Sequence, residues 1–315
     1  MSEVIGTAQK LAPVVLAFGV GVVFARRKVI GSESSKVFSE FAFRFAIPAY
    51  LLGKLYSSDL GHLFDPVAIA AYITTAVLAM TIVATVARFV SASSTRGTAL
   101  RIMAACQVNT AYVAIPVFIL LFGDAAPIFP VLLLQVCVLT VVVIAIMESA
   151  GAPDVPGQTV GVRIRRGVGA ALTTPVVLAC YGGIAANLAN VPVPGWALDS
   201  LSFTGDAASP VALFALGLHL GGSGLRWRGA SGDEYWLIGF KVAVFPLLAL
   251  LVCRYVFAIQ GPWLSYLVLI AAMPAPQNLF IFAQQYDVEP DLAASIVVKT
   301  SLAAMALLPL WAAIA

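Results

Sequence analysis

The sequence predicts an all-α integral membrane protein of ten transmembrane helices, arranged as two inverted five-helix repeats, with the fourth and ninth helices broken. Three observations carry this. Of 315 residues, 61% are hydrophobic and only 10% charged, against about 25% charged in soluble domains. Apolar runs close to the roughly 20 residues a bilayer-crossing helix needs recur along the whole chain. Short stretches of the first half also return in the second at a constant interval.

The apolar runs lie between charged or Gly/Pro-rich breaks, at about 8–25, 37–58, 66–89, 99–122, 128–147, 171–189, 199–222, 235–258, 263–286 and 291–314. The first is short unless Lys10 reaches out from its edge. Glu3 stands where a signal peptide would carry a basic residue, so the first run is expected to be a retained helix.

Basic residues set the orientation. Arg26, Arg27, Lys28 and Lys36 follow span 1, and Arg88, Arg96 and Arg101 surround the loop after span 3. Arg163, Arg165 and Arg166 follow span 5, and Arg226 and Arg228 follow span 7. The alternate loops carry Asp59, Asp65, Asp124 and Asp199 instead, with Arg254 near the end of span 8 as an exception. Odd-numbered loops are therefore expected in the cytoplasm and both termini outside, in a cell (inner) membrane. The acidic turn "YDVEPD" after span 9 breaks the trend, but acidic residues contribute little to that rule.

Span 1 reads "APVVLAFGVGVVFA" and span 6 reads "TPVVLACYGGIAAN". Pro13 to Ala17 repeats as Pro175 to Ala179, an interval of 175 − 13 = 162. Gly21 and Gly183 keep this interval, as do Pro48 and Pro210. Five spans per copy is an odd number, so the second copy enters the membrane with opposite polarity. Inverted repeats of this kind are a hallmark of secondary transporters, whose substrate site lies near the midplane.

Span 9 contains "MPAPQNLFIF", residues 273–282. Proline lacks an amide hydrogen and collides with the carbonyl four residues back. Pro274 would strike Ile270 and Pro276 would strike Ala272, while Met273 and Ala275 are each pushed out of helical geometry. An interruption is expected in 270–278, and backbone freed in this way must be covered by protein or face a wet cavity. Span 4 reads "CQVNTAYVAIPVF", with Asn109, Thr110 and Tyr112 preceding Pro116. Two matching spans, each broken and polar at mid-depth, point to a binding site. A helix N-terminus carries unpaired N–H groups and about half a positive charge, which suits an anion. Asn109, Gln277 and Asn278 would add amide donors. The bland alternative is a pair of proline kinks with amides bridging neighbouring helices.

Other ionisable groups at depth need individual reading. Lys299, followed by Thr300 and Ser301, is either a counter-charge to a second carboxylate or a structural partner. Arg44 and Asp206 share the interval of 162, and a buried Asp206 could carry a coupling proton. His62 and His219 lack a partner at metal-ligand spacing, and Cys106, Cys137, Cys180 and Cys253 lie in apolar runs as inert thiols. No HExxH, Walker or GxSxG motif occurs, so no enzyme, metal or cofactor is expected. A net charge of +3 in short clusters gives no nucleic-acid patch. Trp196, Trp263 and Trp311 fall near span ends, as interfacial tryptophans do.

"MPAPQNLFIFAQQY" (273–286) and "NTAYVAIPVFILLFG" (109–123) resemble the two crossover segments of the auxin efflux carrier family. "FAFRFAIPAYLL" (41–52) and "SPVALFALGLHL" (209–220) resemble its second and seventh helices. The chain is most similar to compact prokaryotic members of malonate or malate permease type. It has no long central hydrophilic loop, since 148–170 is short. The resemblance implies two inverted repeats, 1–150 and 151–315. Helices 1, 2, 6 and 7 would form a scaffold and a homodimer interface, and helices 3–5 and 8–10 an elevator-like transport domain without ATP. Helices 4 and 9 would cross at their breaks. By motif, Asn109, Pro116, Pro274 and Asn278 take the crossover positions, with Thr110, Tyr112, Gln277 and Lys299 as further candidates. A basic residue at Lys299 departs from the family pattern. The expected function is secondary transport of a small organic anion, a carboxylate such as malonate or malate or an auxin-like weak acid. A carrier-fold receptor and a sodium-coupled symporter are the alternatives. H+ and Na+ both remain open as coupling ions.

Overall fold

A computed structural model describes residues 2–149, 161, 165, 169, 173–222 and 231–315. Arg163, Arg166, Arg226 and Arg228 lie outside the described residues, as do the side chains of Lys10, His62, Tyr112 and Cys137. Among the described residues all regular structure is helical. Four helices are long and apolar enough to cross a membrane: Pro66–Phe89, Gly195–Gly222, Gly232–Val256 and Pro290–Ile314. The chain divides into two compact units. The first holds Met1–Asp65, Thr110–Pro130 and Ala171–Leu225; the second holds Pro66–Asn109, Val131–Ala170 and Arg226–Ala315. The boundary passes through span 4, between Asn109 and Thr110.

In the first unit the main packing pairs are Ser2–Arg26 with Ala208–Gly222, and Ile47–Ser57 with Pro175–Leu188. Both pairs are closed by a glycine. A Cβ on Gly21 would lie 2.4 Å from the Phe214 carbonyl oxygen and 2.9 Å from the Leu218 nitrogen. A Cβ on Gly183 would lie 2.8 Å from the Leu52 carbonyl oxygen and 3.3 Å from the Tyr56 nitrogen. Each residue in the second contact differs from its counterpart by the same interval: 183 − 21, 214 − 52 and 218 − 56 all equal 162. Lipid tails give helices no hydrophobic reason to associate, so backbone approach at small residues supplies the contact. Tyr56 and Asn187 finish the second pair. The Tyr56 hydroxyl donates to the Val191 carbonyl at 2.8 Å. Asn187 Nδ2 donates to the carbonyls of Tyr56 and Ser58 at 2.6 and 3.0 Å.

The second unit is built around the Pro66–Phe89 and Thr95–Cys106 helices, with Phe245–Leu251 packed on Pro262–Ala272 and Asn278–Gln285 on Pro290–Ile314. Pro66–Phe89 buries Ala68, Ala71, Ala76 and Ala79 and exposes Val67, Val77, Leu78 and Phe89. Small residues inside and large ones outside is the pattern of a helix that meets lipid. Ser94 caps Thr95–Cys106 by accepting from the Gly97 N–H at 3.0 Å. Ser231 caps Gly232–Gly239 by accepting from the Glu234 N–H at 3.2 Å.

Prolines inside spans are accommodated in a recurring way. A π-helical turn at Ala42–Ala46 precedes Pro48, one at Thr110–Ala114 precedes Pro116, and one at Phe240–Val244 precedes Pro246. A wider turn moves the preceding carbonyls away from the proline ring, which would otherwise strike the residue four back. For Pro246 that residue is Val242. Its carbonyl accepts from Trp311 Nε1 at 2.9 Å. Trp311 is therefore buried at 8% exposure, and is not the interfacial anchor its place near a span end suggested. Trp196, exposed at 73%, fits that expectation.

Candidate functional site

Both expected interruptions are present, and both lie in the second unit. The helix Thr95–Cys106 ends, and Gln107 to Asn109 run without helical structure before the turn that starts at Thr110. The helix Pro262–Ala272 ends, and Met273 to Gln277 separate it from Asn278–Gln285. The two gaps meet: the Asn109 N–H donates to the Pro274 carbonyl at 2.9 Å.

Backbone in a low-dielectric interior must find partners, because each unsatisfied group costs several kcal/mol there. The gap in span 4 satisfies all three of its N–H groups. Gln107 donates to Met103 at 3.2 Å, Val108 to Gln135 Oε1 at 2.6 Å, and Asn109 to Pro274. Gln135 also returns its Nε2 to the Val108 carbonyl at 3.3 Å, so one amide side chain replaces a helical turn on both sides of the peptide. In span 9 the prolines reduce the demand, since Pro274 and Pro276 have no N–H. The Met273 N–H reaches Ile270 at 3.1 Å, and the Ala275 N–H is taken by Thr300 Oγ1 at 3.2 Å. Thr300 sends its own proton to the Ile296 carbonyl at 2.7 Å. The intervals agree here as well: 274 − 109 and 300 − 135 both equal 165.

Asn109, Pro274 and Pro276 are buried, Gln277 is half-buried, and Asn278 is exposed as the first residue of its helix. That helix begins at the gap, so the positive end of its dipole and an amide side chain face the same interruption. Thr110 and Pro116 fall in the first unit, where the Pro116 carbonyl accepts from Ser209 Oγ at 3.1 Å. Asp206 is exposed at the end of Gly195–Asp206, without the burial that its expected proton-carrying role assumed. Arg44 is exposed as well.

Lys299 has a partner that the sequence analysis did not consider. Its Nζ lies 2.6 Å from Glu234 Oε1, with both side chains under 10% exposed. Glu234 also accepts from Ser295 Oγ. A second ionic knot explains the acidic turn after span 9. Arg101, counted above among topology-setting charges, is 6% exposed. It grips Glu289 with two bonds of 2.9 Å, while its Nε donates to Asp233 at 2.8 Å. Ser91 Oγ donates to the other Asp233 oxygen at 2.6 Å. Gly97 leaves room for this: a Cβ there would stand 3.0 Å from both Arg101 Nη1 and Glu289 Oε1. Gln135, Glu234 and Lys241 went unread, although Lys241 and Gln135 are polar groups inside apolar runs, the same signal that singled out Lys299.

The profile of the family described as "Membrane transport protein" matches residues 7–166 and 168–312. The chain belongs to that family. Its resemblance to the auxin efflux carriers holds across the sequence. This membrane transport protein is 26% identical over 310 residues to an uncharacterised transporter of Methanothermobacter thermautotrophicus, covering 98% of each chain. It is 27% identical over 162 residues to a Rhizobium meliloti protein named for malonate transport, covering 51% of this chain and 49% of that one. It is 27% identical over 116 residues to auxin efflux carrier component 1 of Arabidopsis thaliana, covering 37% of this chain and 18% of the plant protein. Family and apolar helices together make it a multi-pass membrane protein.

Proposed function

We propose that the chain is a secondary carrier of a small organic anion, a carboxylate of the malonate or malate type or an auxin-like weak acid, held where spans 4 and 9 are interrupted. The observation that carries this is the backbone bond from Asn109 to Pro274. It joins two non-helical segments at the start of the Asn278–Gln285 helix, whose positive dipole end favours negative charge. Asn109, Gln277 and Asn278 supply the amide donors; Thr110, Tyr112, Pro116 and Pro274 are further candidates by motif alone. The relatives named for malonate and auxin transport support the substrate class.

The repeated glycine contacts of Gly21 and Gly183 support two inverted repeats. The grouping of spans 1, 2, 6 and 7 in one unit, together with Thr110–Pro130, supports a scaffold, and elevator-like transport belongs to the same proposal. Homodimerisation through the scaffold belongs to the same proposal, as do both termini outside the cell membrane and coupling to H+ or Na+. Lys299 is assigned to its pair with Glu234 rather than to the substrate.

Counterflow of labelled malonate in proteoliposomes tests the function. Asn109→Ala and Asn278→Ala are each expected to abolish flux with expression intact. Undiminished flux in both removes the interruption as the site. Binding of a carboxylate without flux marks a receptor instead.

A further inference from the structure

Lys241 is fully buried in the π-helical turn Phe240–Val244. Its Nζ makes no hydrogen bond. The ammonium stands over the face of the Phe245 ring, 4.6 Å from its centroid. Tyr72, on the Pro66–Phe89 helix, is 1% exposed, and its hydroxyl makes no hydrogen bond either. The Tyr72 ring meets the same Phe245 edge-on, with centroids 6.5 Å apart. Buried Cys106 completes the group, on a helix that packs against both the Lys241 turn and the Tyr72 helix. It is the last residue of its helix and adjoins Gln107, where the gap in span 4 opens.

An ammonium sealed from water and lacking an acceptor is strongly unfavourable. The elements packed on the Lys241 turn are Gly232–Gly239, Phe245–Leu251, Thr95–Cys106, Pro262–Ala272 and Pro290–Ile314. Their buried acidic group has another partner: Glu234 is bound to Lys299. Asp233 is bound to Arg101, and Asp291 is exposed on the first turn of its helix. Among the described residues, then, no carboxylate is left for Lys241. Single-turn π-bulges within helices also frequently mark functional sites.

We propose that Lys241, Tyr72 and Cys106 form an internal site for a small anion, behind the interruption of span 4. The ammonium supplies the charge, the phenol hydroxyl a second donor, and the thiol a third, weaker one. The anion is either the carboxylate of a carried acid or an inorganic halide. The organic-anion assignment above bears only on the first of these sources.

The test uses the purified full chain in detergent, with thermal unfolding followed as bromide or malonate is titrated at ionic strength held constant by a bulky sulfonate. A saturable rise in midpoint is expected for the wild type. Lys241→Met should abolish the rise that passes through this site. Tyr72→Phe, which keeps the ring on Phe245, should weaken the apparent affinity about tenfold, the worth of one hydrogen bond to a charged group. A rise with malonate alone identifies the carried acid, and a rise with bromide identifies an inorganic anion. Anomalous scattering from bromide-soaked crystals, with a peak within hydrogen-bonding reach of Lys241 Nζ, keeps the test decisive if Lys241→Met does not fold. An unchanged rise in Lys241→Met, or no rise and no anomalous peak in the wild type, overturns the site. Absence of anion flux with a bromide rise still lost in Lys241→Met would instead overturn only the carrier function.

Discussion

Gly21 lies against the Phe214 carbonyl so closely that a Cβ on it would stand 2.4 Å from that oxygen. Gly183 meets Leu52 in the same register, one interval of 162 along the chain. Because the obstacle is backbone, it cannot turn aside as a flexible side chain would. Gly21→Ala and Gly183→Ala are each expected to cost about 1–3 kcal/mol of stability by overpacking. Gly19→Ala is the control, since nothing lies within 4 Å of its Cβ position. It should be neutral or stabilising by up to about 1 kcal/mol, because alanine is the better helix former. Thermal unfolding in detergent separates the three, and an equal loss at Gly19 would refute the packing account.

Gln135 holds the Val108 peptide at both its N–H and its carbonyl. Gln135→Leu keeps the approximate volume and removes both bonds, stranding a buried donor and acceptor. A loss of about 2–6 kcal/mol is expected, from about 1–3 for each of the two unsatisfied groups. Flux should fall with it, because the gap beside Asn109 loses its support. Wild-type melting in Gln135→Leu would show that the gap is held by other means.

The Lys299–Glu234 pair gives a rescue experiment. Either single change, Lys299→Met or Glu234→Gln, leaves a buried group without its partner. Removing one member of a buried pair costs about 3–5 kcal/mol. Lys299→Met combined with Glu234→Leu should recover most of that stability and, for a structural pair, much of the flux. Recovery of stability with flux still absent would return Lys299 to the substrate.

Arg101 holds two acids of unequal burial. The Asp233 side chain is 19% exposed and the Glu289 side chain 38%. Solvent screens the second bond more than the first, so Glu289→Gln should cost less than about 1 kcal/mol. Asp233→Asn, which also weakens the bond from Ser91, should cost more. The reverse order, measured by urea or thermal unfolding, would mean that the bidentate grip on Glu289 dominates.

The interruption in span 9 was legible because proline acts on its own backbone, and the collision of Pro274 with Ile270 needs no tertiary knowledge; the gap in span 4 lies ahead of Pro116 and showed only as a cluster of polar residues. The close glycines were legible only as a repeat. Nothing in "GVGV" says which carbonyl Gly21 meets, because that depends on how helices cross. Lys299 stood out as a charge in an apolar run, but Glu234 falls just before the apolar run at 235–258 and drew no reading. Their pairing joins residues 65 positions apart, beyond any local pattern. Trp311 was misplaced for a related reason. Its position near a span end suggested the interface, whereas the carbonyl that claims it is freed by Pro246 on another helix.

The bond between Asn109 and Pro274 runs from main chain to main chain. Such a clasp does not depend on which side chains its two residues carry, provided the backbone N–H and carbonyl stay in place. Side chains that do not brace the backbone, as Gln135 does, can therefore be exchanged without undoing the joint. Under the proposed function, a molecule organised in this way can change its cargo by substitution while inheriting the same frame.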